Sequence, residues 1–225
     1  MNKLKFLGRG SAFNTSEGNT SAFYYLDKDH DHIVFIDCGE STFQRIVEKK
    51  LLDNVDRIDI FITHLHSDHA GSLGSLIHYC YFVKNICPTI YYGEPDVMRQ
   101  YLNIIGVLRT EYTMSLDFHN FSFEFIKVPH KENISSFAIK IKLIEEEKVD
   151  ILYTGDTTKI CLPKEGIVYH DTCLNDYPGN VHASLKRLID KIDVSNRKRV
   201  YCMHFDCDET ITKAKNAGFN VVELF

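Results

Sequence analysis

The sequence predicts an α/β protein of two mixed sheets packed face to face with helices outside. Each half of the chain runs short apolar strands first and helical stretches after, the order that lets helices cover sheets. Strand-like runs alternate with a period of two, as in Phe121, Phe123, Phe125 and again Phe137, Ile139, Ile141, Leu143. Histidines and aspartates stand directly after apolar strands, where loops build sites.

Taken in order, a first strand covers residues 3–7. The glycine- and serine-rich loop Gly8-Arg9-Gly10-Ser11-Ala12, continuing through Glu17-Gly18-Asn19-Thr20-Ser21, leads to strands at 22–26 and 33–37. Asp29-His30-Asp31-His32 between them reads as a polar hairpin turn with solvated histidines. Ser41 or Thr42 caps a helix over 43–51. Asp37, at a strand end, is placed to orient a ligating histidine. A buried strand over 58–62 precedes a helix reaching to about residue 84, in which His78 is a packing or surface histidine.

A strand at 89–92 follows, then a helix at 94–106 with Pro95 in its first turn. Residues 107–119 are mixed, with strand character at Tyr112-Thr113-Met114, and could line a substrate site or an oligomer interface. Strands over 121–128 and 136–144 precede the solvated turn Glu145-Glu146-Glu147-Lys148 and a partner strand at 149–154. The tail alternates: strand 166–170, helix 181–192, strand 198–203, helix 209–216, strand 220–224. No short repeat or linker interrupts this order, so residues 1–225 read as one domain.

A chain of 225 residues can bury a core without staples, and 44% hydrophobic with 25% charged residues argues against disorder. The net charge of −5 opposes a grip on long nucleic acid, which calls for a basic surface. No stretch approaches the roughly 18–20 apolar residues of a membrane span, and no signal-peptide run opens the chain. The seven cysteines include no C-x-x-C pair, so reduced thiols in a cytoplasmic protein are expected.

The chemistry gathers in Thr63-His64-Leu65-His66-Ser67-Asp68-His69-Ala70-Gly71. Burying this many polar groups without partners would cost about 2 kcal/mol or more for each. Neutral imidazole and ionised carboxylate are ligands for divalent cations; Zn²⁺ is the first choice, with Mn²⁺ or Fe²⁺ as alternatives. His64 and His66, two apart on an extended segment, point the same way. Asp68 and His69, at a helix start, can aim at a second ion. Farther on, Pro129-His130-Lys131, Thr154-Gly155-Asp156-Thr157 and Met203-His204-Phe205 each close an apolar strand with one ligand-type residue. Seven such groups suit two ions that share a carboxylate.

The motif His64-x-His66-x-Asp68-His69, followed by His130, Asp156 and His204, resembles the metallo-β-lactamase superfamily over essentially the whole chain. Within it, Leu7-Gly8-Arg9-Gly10-Ser11-Ala12 and Gly18-Asn19-Thr20-Ser21 are similar to the ribonuclease Z-like branch and its small phosphodiesterase relatives. The resemblance implies a four-layer αβ/βα sandwich with a binuclear site. His64, His66 and His130 would bind one metal, and Asp68, His69 and His204 the other. Asp156 would bridge them together with a hydroxide. His182, in Asn180-Val181-His182-Ala183-Ser184, resembles the branch's helix-start histidine that protonates the leaving group. Asp171, in His170-Asp171-Thr172-Cys173, would orient or tune it.

The function implied is a binuclear metal-dependent phosphodiesterase acting on a small or cyclic nucleotide, with a homodimer as the assembly. Aromatic residues at 79–82 and 91–101 offer surface for that dimer. A ribonuclease Z-like endoribonuclease trimming tRNA 3′ ends is the closest rival. No long tRNA-holding arm has an obvious counterpart here, which weighs against that rival. A thioester or lactone hydrolase and a metal-bound nucleotide-sequestering module are the remaining readings.

Overall fold

In the computed structural model, which describes residues 4–117, 122–142 and 150–225, the chain divides into two compact units. The expected turn Glu145-Glu146-Glu147-Lys148, the strand residues Phe121, Leu143, Ile144 and Val149, and the end of the mixed segment at His119 lie outside the described residues. The first unit comprises Met1–Gly8, Gly18–Asp117 and Leu224–Phe225; the second comprises Arg9–Glu17 and Phe118–Glu223.

The first unit holds a six-stranded mixed sheet ordered β1 (Lys5–Gly8), β2 (Ser21–Tyr25), β3 (His32–Ile36), β4 (Arg57–Phe61), β5 (Thr89–Tyr91) and β6 (Thr113–Met114). β1, β2 and β3 pair antiparallel, and β3 through β6 pair parallel. Parallel strands need crossovers, supplied here by helices. These are α1 (Thr42–Glu48), α2 (Ser67–Ala70), α3 (Leu73–His78) and α4 (Pro95–Ile104). A π-helical turn over Tyr79–Val83 continues α3. All five β3 residues are buried, as a central strand covered on both faces requires.

The second unit repeats the plan. Its six-stranded sheet runs β7 (Ser122–Lys131), β8 (Ile134–Lys142), β9 (Asp150–Tyr153), β10 (Ile167–Asp171), β11 (Val200–Met203) and β12 (Asn220–Val221). β7, β8 and β9 are antiparallel, whereas β9 through β12 are parallel. The helices here are α5 (Leu185–Lys191), α6 (Val194–Arg197) and α7 (Asp208–Asn216). Two six-stranded mixed sheets with helices bear out the α/β expectation. Among the described residues no helix is long and apolar enough to cross a membrane.

Several sequence expectations are corrected. Of the two histidines expected to be solvated in a turn, His30 is one: it is exposed at φ 60°, its ring stacked on Tyr25 with centroids 4.2 Å apart. His32 is not solvated: it opens β3 and is buried, with Nε2 against Asp59 Oδ2. The Tyr91 hydroxyl donates to Asp59 Oδ1 over 3.1 Å, and Arg57 Nε lies 3.4 Å from Asp59 Oδ2. A carboxylate in a fully buried strand demands such partners, and a histidine 27 residues away supplies one. The aromatics proposed as dimer surface divide: Tyr91 and Tyr92 are buried, while Phe82 is exposed. The strand expected over 121–128 continues to Lys131 through a bulge after Val128. The expected 181–192 helix begins only at Leu185, because Ser184 is its cap and accepts from the Arg187 N–H over 3.3 Å. His182 therefore sits in the loop before the helix, not in its first turn.

Candidate functional site

In both units the ligand-type residues gather at the carboxyl ends of parallel strands, where open α/β sheets place ligands. Asp37 follows β3, Thr63 to His69 follow β4, Asp156 follows β9, Asp171 ends β10, and His204 follows β11.

In the first unit, His66 caps α2 in extended conformation and Asp68 lies in the first turn, where the helix dipole favours a carboxylate. His64 is fully buried, its Nδ1 is 3.1 Å from the Thr63 hydroxyl, and its Nε2 is 3.1 Å from His66 Nδ1. The His64 and His69 rings lie 4.0 Å apart by centroid, and His69 Nε2 is 3.5 Å from Asp68 Oδ2. Asp37 fixes this group from behind. Its Oδ2 accepts from His69 Nδ1 at 2.9 Å, and its Oδ1 accepts the Thr63 N–H at 2.8 Å and the Thr63 hydroxyl at 3.0 Å. A carboxylate on Nδ1 commits that nitrogen to carrying the proton, so Nε2 is the His69 ring atom that could ligate an ion. Burial raises the Asp37 pKa, against the lowering effect of His69 and the Thr63 hydrogen bonds.

Backbone detail holds the two strand ends together. A Cβ on Gly39 would lie 2.0 Å from the Asp68 carbonyl oxygen, so only glycine allows this approach. Asp37 itself sits at φ 63°, in the left-handed region that L residues seldom adopt.

In the second unit, His130 Nδ1 lies 3.2 Å from the Val181 carbonyl, which leaves Nε2 as the ring atom that could ligate an ion. Burial lowers the His130 pKa, keeping the ring neutral as a metal ligand must be. Asp156 Oδ1 is 3.4 Å from His204 Nε2, and its Oδ2 is 3.6 Å from His182 Nδ1. Asp171 stands between the two histidines: Oδ2 is 3.0 Å from His182 Nδ1, and Oδ1 is 3.4 Å from His204 Nδ1. Oδ2 also accepts the Thr157 N–H at 3.1 Å. Ligand atoms of Asp156, Asp171, His182 and His204 all lie within 4.8 Å of one another. His204, like Asp37, is left-handed, at φ 61°.

The electrostatics of this group are unequal. Burial raises the Asp171 pKa, but the charge of His182 and hydrogen bonds from His182 and His204 overcome it, and the net shift is downward. Burial likewise lowers the His182 pKa, and the charge and hydrogen bond of Asp171 together with the charge of Asp156 overcome it, so the net shift is upward. Asp171 thus favours the protonated form of the His182 ring against the opposing effect of burial.

Thus four of the seven expected ligands, His64, His66, Asp68 and His69, cluster in the first unit, and His130, Asp156 and His204 belong to the second. In each, imidazoles and carboxylates converge, most of them buried. That donor chemistry fits a borderline divalent cation and fits no packing role. Sequence reasoning missed Thr63 and Thr157, which anchor Asp37 and Asp171. Their signal was present, since threonine stands directly beside a ligand-type residue in Thr63-His64 and Asp156-Thr157.

Among solved structures, the human short-form tRNase Z is similar at TM-score 0.71 and 18% identity, covering 99% of this chain and 96% of that one. The metallo-β-lactamase fold protein YhfI of Bacillus subtilis is similar at TM-score 0.70 and 14% identity, covering 99% of this chain and 95% of that one. These likenesses bear out the metallo-β-lactamase fold. By sequence, the Anti-Pycsar protein Apyc1 of Bacillus phage BSP38 is 26% identical, over 96% of this chain and 94% of its own length. The family profile of Anti-Pycsar protein Apyc1 matches residues 2–100 and 93–223. With nearly every described residue inside that match, the chain belongs to the Anti-Pycsar protein Apyc1 family.

Proposed function

We propose that this hydrolase is a metal-dependent phosphodiesterase that cleaves a small or cyclic nucleotide phosphodiester. The observation that carries the reading is His182, held by the buried carboxylate of Asp171 at 3.0 Å beside the candidate ligand Asp156. In this reading His64, His66 and His130 hold one divalent ion, Asp68, His69 and His204 hold a second, and Asp156 contributes to both. The two units then act as one domain.

Bound divalent ions would supply positive charge to the non-bridging phosphate oxygens and lower the pKa of a coordinated water. The chain's own residues do the rest. Asp37 and the Val181 carbonyl keep protons on the Nδ1 atoms of His69 and His130, so both rings offer Nε2. With Nδ1 engaged by Asp171, His182 has Nε2–H as its transferable proton and gives it to the departing oxygen. Its side chain is 20% exposed, enough to meet a substrate entering from solvent. A net charge of −5 supports a small substrate over RNA. The reading includes Zn²⁺ as the ion, a homodimer as the assembly and a cytoplasmic setting, in which seven free thiols remain reduced.

A substrate panel tests it: cyclic nucleotides, bis-p-nitrophenyl phosphate, a tRNA precursor and a thioester, with elemental analysis and light scattering on the same sample. Cleavage of the nucleotides with about two metal equivalents per chain is expected. Cleavage of the tRNA precursor alone would establish the ribonuclease reading instead, and cleavage of the thioester alone would sink the phosphodiesterase. His182→Ala should slow turnover by roughly 10²–10⁴-fold with metal content unchanged, and more for an alkoxide than for a p-nitrophenolate leaving group.

A further inference from the structure

Two large aromatic side chains in the second unit lie open to solvent on loops whose backbones are hydrogen-bonded in place. Phe13 is 95% exposed and Tyr177 is 56% exposed. Both loops are tied to the residues directly after His204. On the first, the Ser11 N–H and the Asn14 Nδ2 donate to the Phe205 carbonyl at 2.9 and 3.1 Å, and the Phe205 N–H donates to the Arg9 carbonyl at 2.9 Å. The same loop is closed on itself, with the Asn14 N–H donating to Ser11 O at 3.1 Å and the Ser16 hydroxyl donating to Asn14 Oδ1 at 2.9 Å. Phe13 stands between Asn14 and the Ser11 anchor, so its backbone is held although its ring touches solvent.

On the second loop, the Leu174 N–H donates to the Asp206 carboxylate oxygens at 3.1 and 3.0 Å. The Asn180 N–H donates to the Tyr177 carbonyl at 3.0 Å, and Asn180 Oδ1 accepts the His182 N–H at 2.9 Å. Asn180 therefore links the Tyr177 turn to the residue read above as the acid. Anchored backbone under an exposed ring is a preorganised contact surface: the ordering cost is met before a ligand arrives.

We propose that Phe13, with Tyr177, supplies the stacking surface for the nucleobase of the substrate, and so sets selectivity for nucleotides over other phosphodiesters. This rests on the phosphodiesterase reading. Every base has a π-face, and stacking on an aromatic side chain tolerates any base sequence while rejecting a substrate that lacks a base. The residues already described handle the reacting bond, and none of them reads what is attached to it.

The test compares kcat/KM for a cyclic nucleotide with that for methyl p-nitrophenyl phosphate, a diester without a base, in wild type, Phe13→Ala, Phe13→Trp and Tyr177→Ala. The nucleotide preference should fall on the order of tenfold in Phe13→Ala, through KM and not kcat, and in the same direction in Tyr177→Ala. Phe13→Trp should keep the preference, since it restores a π-face at an exposed position. A preference unchanged in both alanine variants, or equal losses on both substrates, overturns the proposal while leaving the phosphodiesterase intact. A wild-type protein that cleaves neither substrate refutes the phosphodiesterase reading, and the stacking surface falls with it.

Discussion

Replacing Asp37 by asparagine isolates what a single buried carboxylate does for His69. The shape is kept, and the amide oxygen can still accept from the Thr63 N–H and hydroxyl, now at 2.8 and 3.0 Å from Asp37 Oδ1. The amide nitrogen then takes the place of Oδ2, 2.9 Å from His69 Nδ1, and presents a proton where an acceptor stood. His69 must respond by accepting at Nδ1 and moving its own proton to Nε2, the atom 3.5 Å from Asp68 Oδ2. A protonated Nε2 cannot ligate. The charge-assisted hydrogen bond lost is worth about 1.5–3 kcal/mol, equivalent to roughly 10- to 150-fold in an affinity. Removing such an outer partner in metalloproteins costs about 10- to 100-fold, so the two routes agree. Chelator competition would read the affinity, and nitrogen NMR of the His69 ring in metal-free protein would read the tautomer. Metal affinity within twofold of wild type, with the proton still on Nδ1, would refute the reasoning.

Asp171→Asn should lower the titration midpoint of His182 in metal-free protein, because the charge and hydrogen bond that lift its pKa against burial are removed. The protonated fraction at neutral pH then falls, and the alkaline limb of the pH–rate profile should move to lower pH; NMR titration of the ring and the profile together check this. Gly39→Ala places a Cβ 2.0 Å from the Asp68 carbonyl oxygen and 2.6 Å from Asn19 Cβ, so α2 must shift. A loss of about 1–3 kcal/mol in urea unfolding is expected, together with weaker metal retention. His32→Ala leaves Asp59 buried without its imidazole partner and should cost on the order of 3 kcal/mol in unfolding free energy, with metal content unchanged.

The strand-end histidines and aspartates were legible because ligand chemistry is local. Three imidazoles and a carboxylate within six residues after an apolar run have no packing explanation, whatever the fold. Strand and helix order was legible for a similar reason, since periods of 2 and 3.6 are written in neighbouring residues. His32 was misread because its environment is set by Asp59 on the adjoining strand, and β3–β4 register is not carried by any nearby pattern. The start of α5 was misread because Ser184 is one of several residues that could cap, and only the Cys173–Ser184 bridge places it.

By itself the sequence determined the α/β plan and raised the expectation of a donor set for two divalent ions, both of which depend on residue type and short-range spacing. Tertiary structure alone decided how those donors are held. Asp37 reaches His69 across 32 positions and Asp171 reaches His204 across 33, each pairing made by parallel strands that end side by side. It also placed Asp37 and His204 in left-handed backbone, a strain that survives only where surrounding contacts over-determine it. Such contacts join residues distant in the chain, so no local pattern announces them.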